Sequence, residues 1–126
     1  MERVSFTLEF LFRASPTILY KFFTAPDAII RWFCDEADAE NDIYTFVWDG
    51  AEEVAELVDD IEEERIRFKW EDADDEDEFL EIRWRRSEVT GETIMEIQAF
   101  CDDDEVDSEK GWWENQIKKL RVASGG

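Results

Sequence analysis

The 126-residue sequence contains no histidine and only two cysteines, Cys34 and Cys101. Histidine is the side chain whose unperturbed pKa lies closest to neutrality, so the chain lacks the commonest proton shuttle of enzymes. Two cysteines without histidine also do not supply the four ligands of a structural zinc site. We therefore expect no metal, no cofactor and no enzymatic activity.

Long apolar runs are also missing. No stretch approaches the roughly 20 apolar residues of a membrane-spanning helix, and the N-terminal residues do not resemble a secretory signal. We therefore predict no membrane insertion and a cytoplasmic, reducing location. In such a compartment both cysteines are expected to remain free thiols.

Basic residues are scarce, because 14 lysines and arginines face 35 acidic residues and give a formal net charge of −21. Nucleic acids and anionic membrane surfaces bind cationic proteins, so neither is an expected partner. The simplest role of the excess acid is solubility. The alternative is attraction of a basic surface on a partner protein.

Aromatic residues are abundant, at 14% of the chain, with six tryptophans and ten phenylalanines. One buried aromatic side chain hides about 150 Å² or more, which corresponds to roughly 4 kcal/mol of gross stabilisation. The composition is therefore typical of a well-packed core without cross-links. We expect residues 1–126 to form a single domain.

The hydrophobic pattern predicts strands separated by two short helices near the start and one long helix at the end. Alternation of apolar and polar residues predicts strands over 4–12, 43–48, 65–70, 79–86 and 93–100. Ser15-Pro16 is typical of a helix start, and Pro26 begins a second short helix. The acidic stretches are predicted to be turns or connections, over residues 35–42, 71–78 and 101–107.

The final helix is expected to be capped by Asp107 or Ser108, to end at Gly125-Gly126, and to bury a stripe containing Trp113. Residues 51–59 are ambiguous. Val54, Leu57, Val58 and Ile61 recur at helical spacing, but they also fit an irregular strand that bends at Asp59-Asp60. The pattern alone leaves both open.

Several motifs occur in a characteristic order: Ser15-Pro16, Pro26, Arg31-Trp32-Phe33, Trp48-Asp49-Gly50, the Glu52–Leu57 stretch, Phe68-Lys69-Trp70 and Gly111-Trp112-Trp113. In this order the chain resembles the START-like (helix-grip, SRPBCC) superfamily, and most of all its Hsp90-ATPase-activator-homologue branch. The resemblance implies an α+β fold. In that fold a curved antiparallel sheet wraps around a long C-terminal helix, and two short helices follow the first strand. It also implies that residues 51–59 form a strand.

The resemblance further implies a cavity between the sheet and the C-terminal helix. The aromatic residues predicted to point inward are candidates to line it: Phe46, Trp48, Trp70, Trp84 and Trp113. A cavity lined by such rings suits a hydrophobic small molecule or lipid. The alternative is that the rings interdigitate as core.

Glu96 is the sixth candidate ligand-binding residue, because it lies among apolar neighbours on a predicted strand. If its side chain points inward, it is a buried carboxylate with a raised pKa that anchors a ligand or acts as an acid or base. If it points outward, it lies on the surface near an arginine.

Basic residues recur along the same strands, at Arg65, Arg67, Lys69, Arg83 and Arg85. They form either a charge mosaic with Glu52, Glu56, Glu81 and Glu96, or a docking site for an acidic partner.

Three functions follow in order. The first is a small cytoplasmic START-like domain that binds a hydrophobic small molecule or lipid. The second is a protein-interaction adaptor related to Hsp90 co-chaperone activators, or a homodimer that uses exposed strand edges or Trp112. The third is an enzyme of cyclase or hydrolase type, which is supported only by the diversity of the family and by Glu96, if its side chain is buried.

Overall fold

The computed structural model describes residues 2–73 and 75–126. The elements in chain order are β1 (Arg3–Phe12), α1 (Pro16–Thr24), α2 (Pro26–Ile29), β2 (Glu36–Glu40), β3 (Ile43–Trp48), β4 (Ala51–Ile61), β5 (Arg65–Trp70), β6 (Leu80–Arg86), β7 (Thr93–Asp102) and α3 (Val106–Ser124). The strands of this described part form one seven-stranded sheet in the order β1-β7-β6-β5-β4-β3-β2. All neighbouring strands are antiparallel.

The two short helices begin where the sequence predicts. The Ser15 hydroxyl accepts a hydrogen bond from the Ile18 amide at 3.3 Å, and Pro16 occupies the first turn of α1. Pro26 opens α2, and residue Ala25 before it has an extended backbone that separates the two helices. The turn that follows α2 brings Trp32 and Phe33 into the core.

The long helix α3 packs against α1 and against strands β1 and β7. Its buried stripe consists of Trp113, Gln116, Ile117 and Leu120. The helix ends at Gly125, whose φ of +85° is the left-handed conformation that glycine adopts without strain. A sheet gripping a terminal helix after two short helices confirms the α+β helix-grip fold.

The ambiguous segment is the strand β4, as the resemblance implied. Its pairing with β5 shifts register between Leu57 and Asp59, which is a β-bulge. Ala55 and Leu57 are buried before the bulge, whereas Val58 and Ile61 are exposed. The apparent helical spacing therefore mixes residues from two faces of a strand whose phase changes midway.

Two boundary predictions are wrong. The acidic stretch 35–42 contains the edge strand β2, whose alternating charges stay in water while its backbone pairs with β3. The cap prediction at Asp107 or Ser108 also fails, because α3 starts at Val106 after Glu105, which makes no side-chain capping bond. Asp107 instead lies in the first turn, where its charge complements the helix dipole.

Leu120 tests whether the grip of the sheet on α3 holds the fold together. Its side chain is fully buried, whereas Val122 on the same helix is 85% exposed. We expect Leu120→Ala to lower the free energy of unfolding by about 2–5 kcal/mol, because it removes buried methyl groups and leaves a cavity. Val122→Ala should change it by less than about 0.5 kcal/mol. Urea unfolding followed by tryptophan fluorescence measures the free energy of unfolding of both variants. Equal losses in the two variants would contradict the conclusion that the packing of α3 holds the fold together.

Candidate functional site

The interior between the sheet and the short helices is filled with side chains. The space left among Phe22, Ile29, Phe46, Phe68 and their neighbours is only about 10 Å³. That volume is close to the minimum that holds one water molecule. This part of the core therefore cannot accept an acyl chain or a ring without rearrangement.

A cleft of about 740 Å³ lies instead at one end of the sheet. Its walls are the first turns of α3, the β3–β4 turn, the end of β5, the connection to β6 and the end of β7. The residues lining it include seven aromatic rings and a set of charged side chains: Arg3, Phe33, Trp48, Asp49, Glu53, Trp70, Asp72, Ala73, Glu78, Phe79, Leu80, Ala99, Phe100, Ser108, Glu109, Trp112 and Trp113.

Phe33 is the centre of the aromatic wall. Its ring meets Trp48 edge-on at a centroid distance of 5.1 Å and Trp112 at 5.9 Å, and it stacks with Trp113 at 5.9 Å. Trp112 also contacts Trp48 and Trp113 edge-on, at 6.3 and 5.1 Å. Such edge-to-face pairs stabilise by about 0.5–1.5 kcal/mol beyond their buried area.

Two hydrogen bonds to one carbonyl hold this wall in place. The Phe33 carbonyl oxygen accepts from the Trp48 indole nitrogen at 2.6 Å and from the Gln116 amide nitrogen at 2.8 Å. These bonds join the turn after α2 to both β3 and α3. Gln116 was not predicted as a site residue, although its position three residues after Trp113 on the buried stripe was the available signal.

The rim of the cleft is acidic. Asp49, Glu53, Asp72 and Glu109 contribute carboxylates to it. Glu53 is directly opposite the buried Phe46, so it belongs to the inner face of the sheet. Burial raises the pKa of Glu109, and the charge of Arg3 opposes that rise.

Arg3 and Glu78 form a clamp on one side of the cleft. The guanidinium donates to both carboxylate oxygens of Glu78, at 2.9 and 2.6 Å, and also to Asp102 at 3.1 Å. Glu78 is only 7% exposed. The prediction of a solvated connection over 71–78 is therefore wrong at this residue, because its partner lies 75 positions away and is invisible to local pattern.

Three of the six predicted ligand-binding residues line the cleft, namely Trp48, Trp70 and Trp113. Phe46 does not line it, because it is buried behind them, 5.9 Å from the Trp70 ring. Trp84 is in the core near α1, where its ring contacts Tyr20 at 6.0 Å and Phe23 at 5.6 Å. Alternation identified the correct face, but the position along each strand decides which rings reach the cleft.

Glu96 lies on the outer face of the sheet. It alternates with Met95 and Ile97, which are fully buried, and it is paired across the strands with Glu9 and Arg83. It is therefore not a buried carboxylate, and it is not among the residues that line the cleft. The cyclase or hydrolase hypothesis loses the acid–base residue on which it depended.

The basic residues on the outer face form a charge mosaic around Glu81. Its carboxylate accepts from Arg67 at 2.7 and 3.0 Å and from Arg83 at 2.7 Å. Arg65 is paired with Asp59 rather than with any of the expected partners. Arg67 also lies over the Phe79 ring, 4.0 Å from its centroid.

Thiol and metal chemistry have little support. Burial raises the pKa of Cys34 and of Cys101, so neither is an activated thiolate. Among residues 2–73 and 75–126, the one group of carboxylates close enough to share a cation is Asp102, Asp104 and Glu105. Hydrogen bonding to Asp102 raises the pKa of Glu105, and Asp102 is itself paired with Arg3.

The chain belongs to the START-like superfamily, since the model of the START-like superfamily domain matches residues 1–126. A solved structure from Bacteroides fragilis is 30% identical, covers 97% of this chain and 91% of its own, and superposes with a TM-score of 0.69. No curated protein matches.

Other solved structures share the fold at low identity. The Aha1 dimer from Colwellia psychrerythraea is 13% identical, with 96% of each chain covered and a TM-score of 0.82. CalU16 from Micromonospora echinospora is 19% identical, with 94% of this chain and 72% of that chain covered and a TM-score of 0.72. None of the helices in the described residues has both the length and the apolar character needed to cross a bilayer.

The mosaic on the outer face predicts a pH-dependent contribution to stability. Burial opposes ionisation of Glu81, but the hydrogen bonds from Arg83 and Arg67 outweigh it and lower the pKa from its ordinary value of 4.5. The stabilisation is therefore complete above that ordinary value and is lost as the pH falls through the lowered pKa. We expect Glu81→Gln to reduce the free energy of unfolding at pH 7 by about 1.5 kcal/mol, because both guanidiniums are partly in water.

Chemical unfolding of Glu81→Gln and the wild type across pH 2–7 measures this difference. The gap should narrow as the pH falls below about 4.5. Glu88→Gln, on an exposed turn, makes the same change of charge and should give little difference at any pH. A gap for Glu81→Gln that stays constant with pH would contradict the assignment.

Proposed function

We propose that this protein binds an apolar small molecule in the cleft beside the N-terminal half of α3. The observation that carries the proposal is a 740 Å³ opening whose aromatic wall is already fixed by hydrogen bonds. Ligand sites of small molecules have volumes of roughly 300–1,000 Å³ and are mostly lined by apolar and aromatic side chains. A wall that is ordered before binding lowers the entropic cost of association.

Family membership supports the same proposal, since START-like domains typically bind hydrophobic ligands. The filled interior refines the class of ligand. With only about 10 Å³ left among Phe22, Ile29, Phe68 and their neighbours, a long acyl chain has no path through this part of the core. The proposed ligand is therefore a compact molecule of drug-like size rather than a fully enclosed lipid. Two buried free thiols fit a cytoplasmic protein, and we propose that location.

Filling the cleft should weaken ligand binding without removing any aromatic ring of its wall. Ser108 is an exposed residue of the cleft lining, so Ser108→Trp places an indole in the opening at little cost to the core. We expect a panel of compact aromatic and alicyclic compounds to contain at least one that quenches tryptophan fluorescence or raises the melting temperature. Ser108→Trp should raise the dissociation constant of that compound at least about tenfold, because the bulky indole occupies the space that the compound needs.

Two further variants make this test decisive. Trp112→Ala removes a ring that is 39% exposed and should weaken binding, since the ring contributes wall area without completing the core. Val122→Ala lies on the same helix away from the cleft and should bind like the wild type. Absence of any binder in a broad panel, or equal binding by all the variants, would contradict the proposal.

A second candidate function is self-association, which a basic patch on an acidic chain favours. Arg31, Lys118 and Lys119 surround the exposed Val122 in a shallow depression of about 650 Å³. The acidic surface of a second copy is complementary to such a patch. The solved Aha1 structure from Colwellia psychrerythraea is a dimer, and we extend that arrangement to this chain as the alternative.

Lys119→Glu tests this alternative. In sedimentation velocity over a concentration series, the wild type should show a dimer whose dissociation constant rises with salt. Lys119→Glu should raise the dissociation constant of the dimer at least about tenfold, because it reverses a charge in the patch. Lys21→Glu on α1 makes the same reversal outside the patch and should leave the dissociation constant unchanged. A monomer at all concentrations would exclude the dimer.

A further inference from the structure

We infer that the ligand of the aromatic cleft is an organic cation, a molecule with an apolar body and a positively charged ammonium group. This inference rests on the proposed function, because it names the ligand class of the same site. It depends on which charges surround the cleft and on which of them are already neutralised within the protein.

The charges lining the cleft are predominantly negative. Among the described residues, the lining contains one guanidinium, that of Arg3, and five carboxylates: Asp49, Glu53, Asp72, Glu78 and Glu109. Arg3 binds Glu78 through two hydrogen bonds and Asp102 through a third. The positive charge of the cleft is therefore engaged by its own acidic neighbours and is poorly placed to receive an anionic head group.

The other four carboxylates differ from Glu78. Within residues 2–73 and 75–126, none of Asp49, Glu53, Asp72 and Glu109 forms an ion pair with a lysine or arginine. They are contributed by four separate segments, namely the β3–β4 turn, β4, the connection after β5, and α3. A cation bound in the cleft is attracted by these four carboxylates, whereas a neutral ligand gains no such attraction and an anionic ligand is repelled.

The aromatic wall favours the same charge. Tryptophan is the best of the aromatic side chains at attracting a cation to its ring face, and quaternary ammonium groups are recognised by cages of such rings. Trp48, Trp70 and Trp112 all line this cleft. The Trp48 ring is held by its bond to the Phe33 carbonyl, so one ring of the proposed site is positioned before a ligand arrives.

Three probes that share a benzyl group test the charge. They are benzyltrimethylammonium, its neutral carbon isostere neopentylbenzene, and phenylacetate, each used below its solubility limit. Binding to the full chain is followed by tryptophan fluorescence and calorimetry. We expect the cation to bind at least about tenfold more tightly than the neutral isostere, which is the scale of one desolvated cation–π contact. Phenylacetate should bind most weakly.

A pair of isosteric double variants separates the cleft from the overall charge of the chain. The double variant Glu53→Gln with Asp72→Asn should reduce the preference for the cation over the neutral isostere to about threefold or less. It should leave the affinity for the neutral isostere unchanged. Glu88→Gln with Glu114→Gln removes the same charge at exposed positions outside the cleft lining and should preserve the preference. An equal loss in both pairs would assign the preference to the general field of an acidic protein and overturn the inference.

The outcomes distinguish this inference from the proposed function. If the neutral isostere binds as tightly as the cation, and Ser108→Trp blocks both, the cleft is a binding site and the cationic ligand class is wrong. If none of the three probes binds and the broader panel also contains no binder, the proposed function fails and the inference fails with it. Stronger binding by phenylacetate than by the cation overturns the inference alone.

Discussion

The carbonyl oxygen of Phe33 is the point on which the arrangement depends, because the Trp48 indole and the Gln116 amide both donate to it. One backbone group thereby fixes the distances among the turn after α2, strand β3 and helix α3. A buried carbonyl without partners would cost about 1–3 kcal/mol, so these bonds also remove a penalty. The ring of Phe33 contacts five other aromatic rings. Three of them, Trp48, Trp112 and Trp113, line the cleft, so the position of Phe33 also determines the position of the cleft wall.

The excess of aromatic residues explains why the available space lies beside the first turns of α3, at one end of the sheet, rather than between the sheet and the short helices. A short chain needs most of its rings to fill the core, and the packing of protein interiors leaves few voids. Phe46 and Trp84 serve that purpose and are almost wholly buried. Near the first turns of α3, the rings of Trp48, Trp70 and Trp112 are only partly covered. The cleft is therefore lined by large, rigid rings that the core does not fully enclose.

Most of the fold could be predicted from the sequence, but only half of the predicted site residues line the cleft. Alternation along β3, β5 and β6 identified the inner face, since period two is a local property of strands. It could not separate Trp70 from Trp84, because the difference depends on where α1 and α3 cover the sheet. In β4 the bulge after Leu57 changed the phase, so the spacing suggested a helix until the family resemblance resolved it. Glu78 and Gln116 were missed because their partners are 75 and 83 positions away in the chain.

The distribution of charge matters more than its total. A net charge of −21 alone predicts solubility and weak attraction of any cation. On the outer face the arginines are placed so that buried acid is compensated, as at Glu81, and at the edge of the cleft Arg3 does the same for Glu78. Those arginines are therefore bound to particular carboxylates, and the acid that they leave uncompensated includes the rim formed by Asp49, Glu53, Asp72 and Glu109. Within the part of the chain that the structure describes, carboxylates without ion pairs beside tryptophan rings are a local feature of this kind, which the net charge of the chain does not describe.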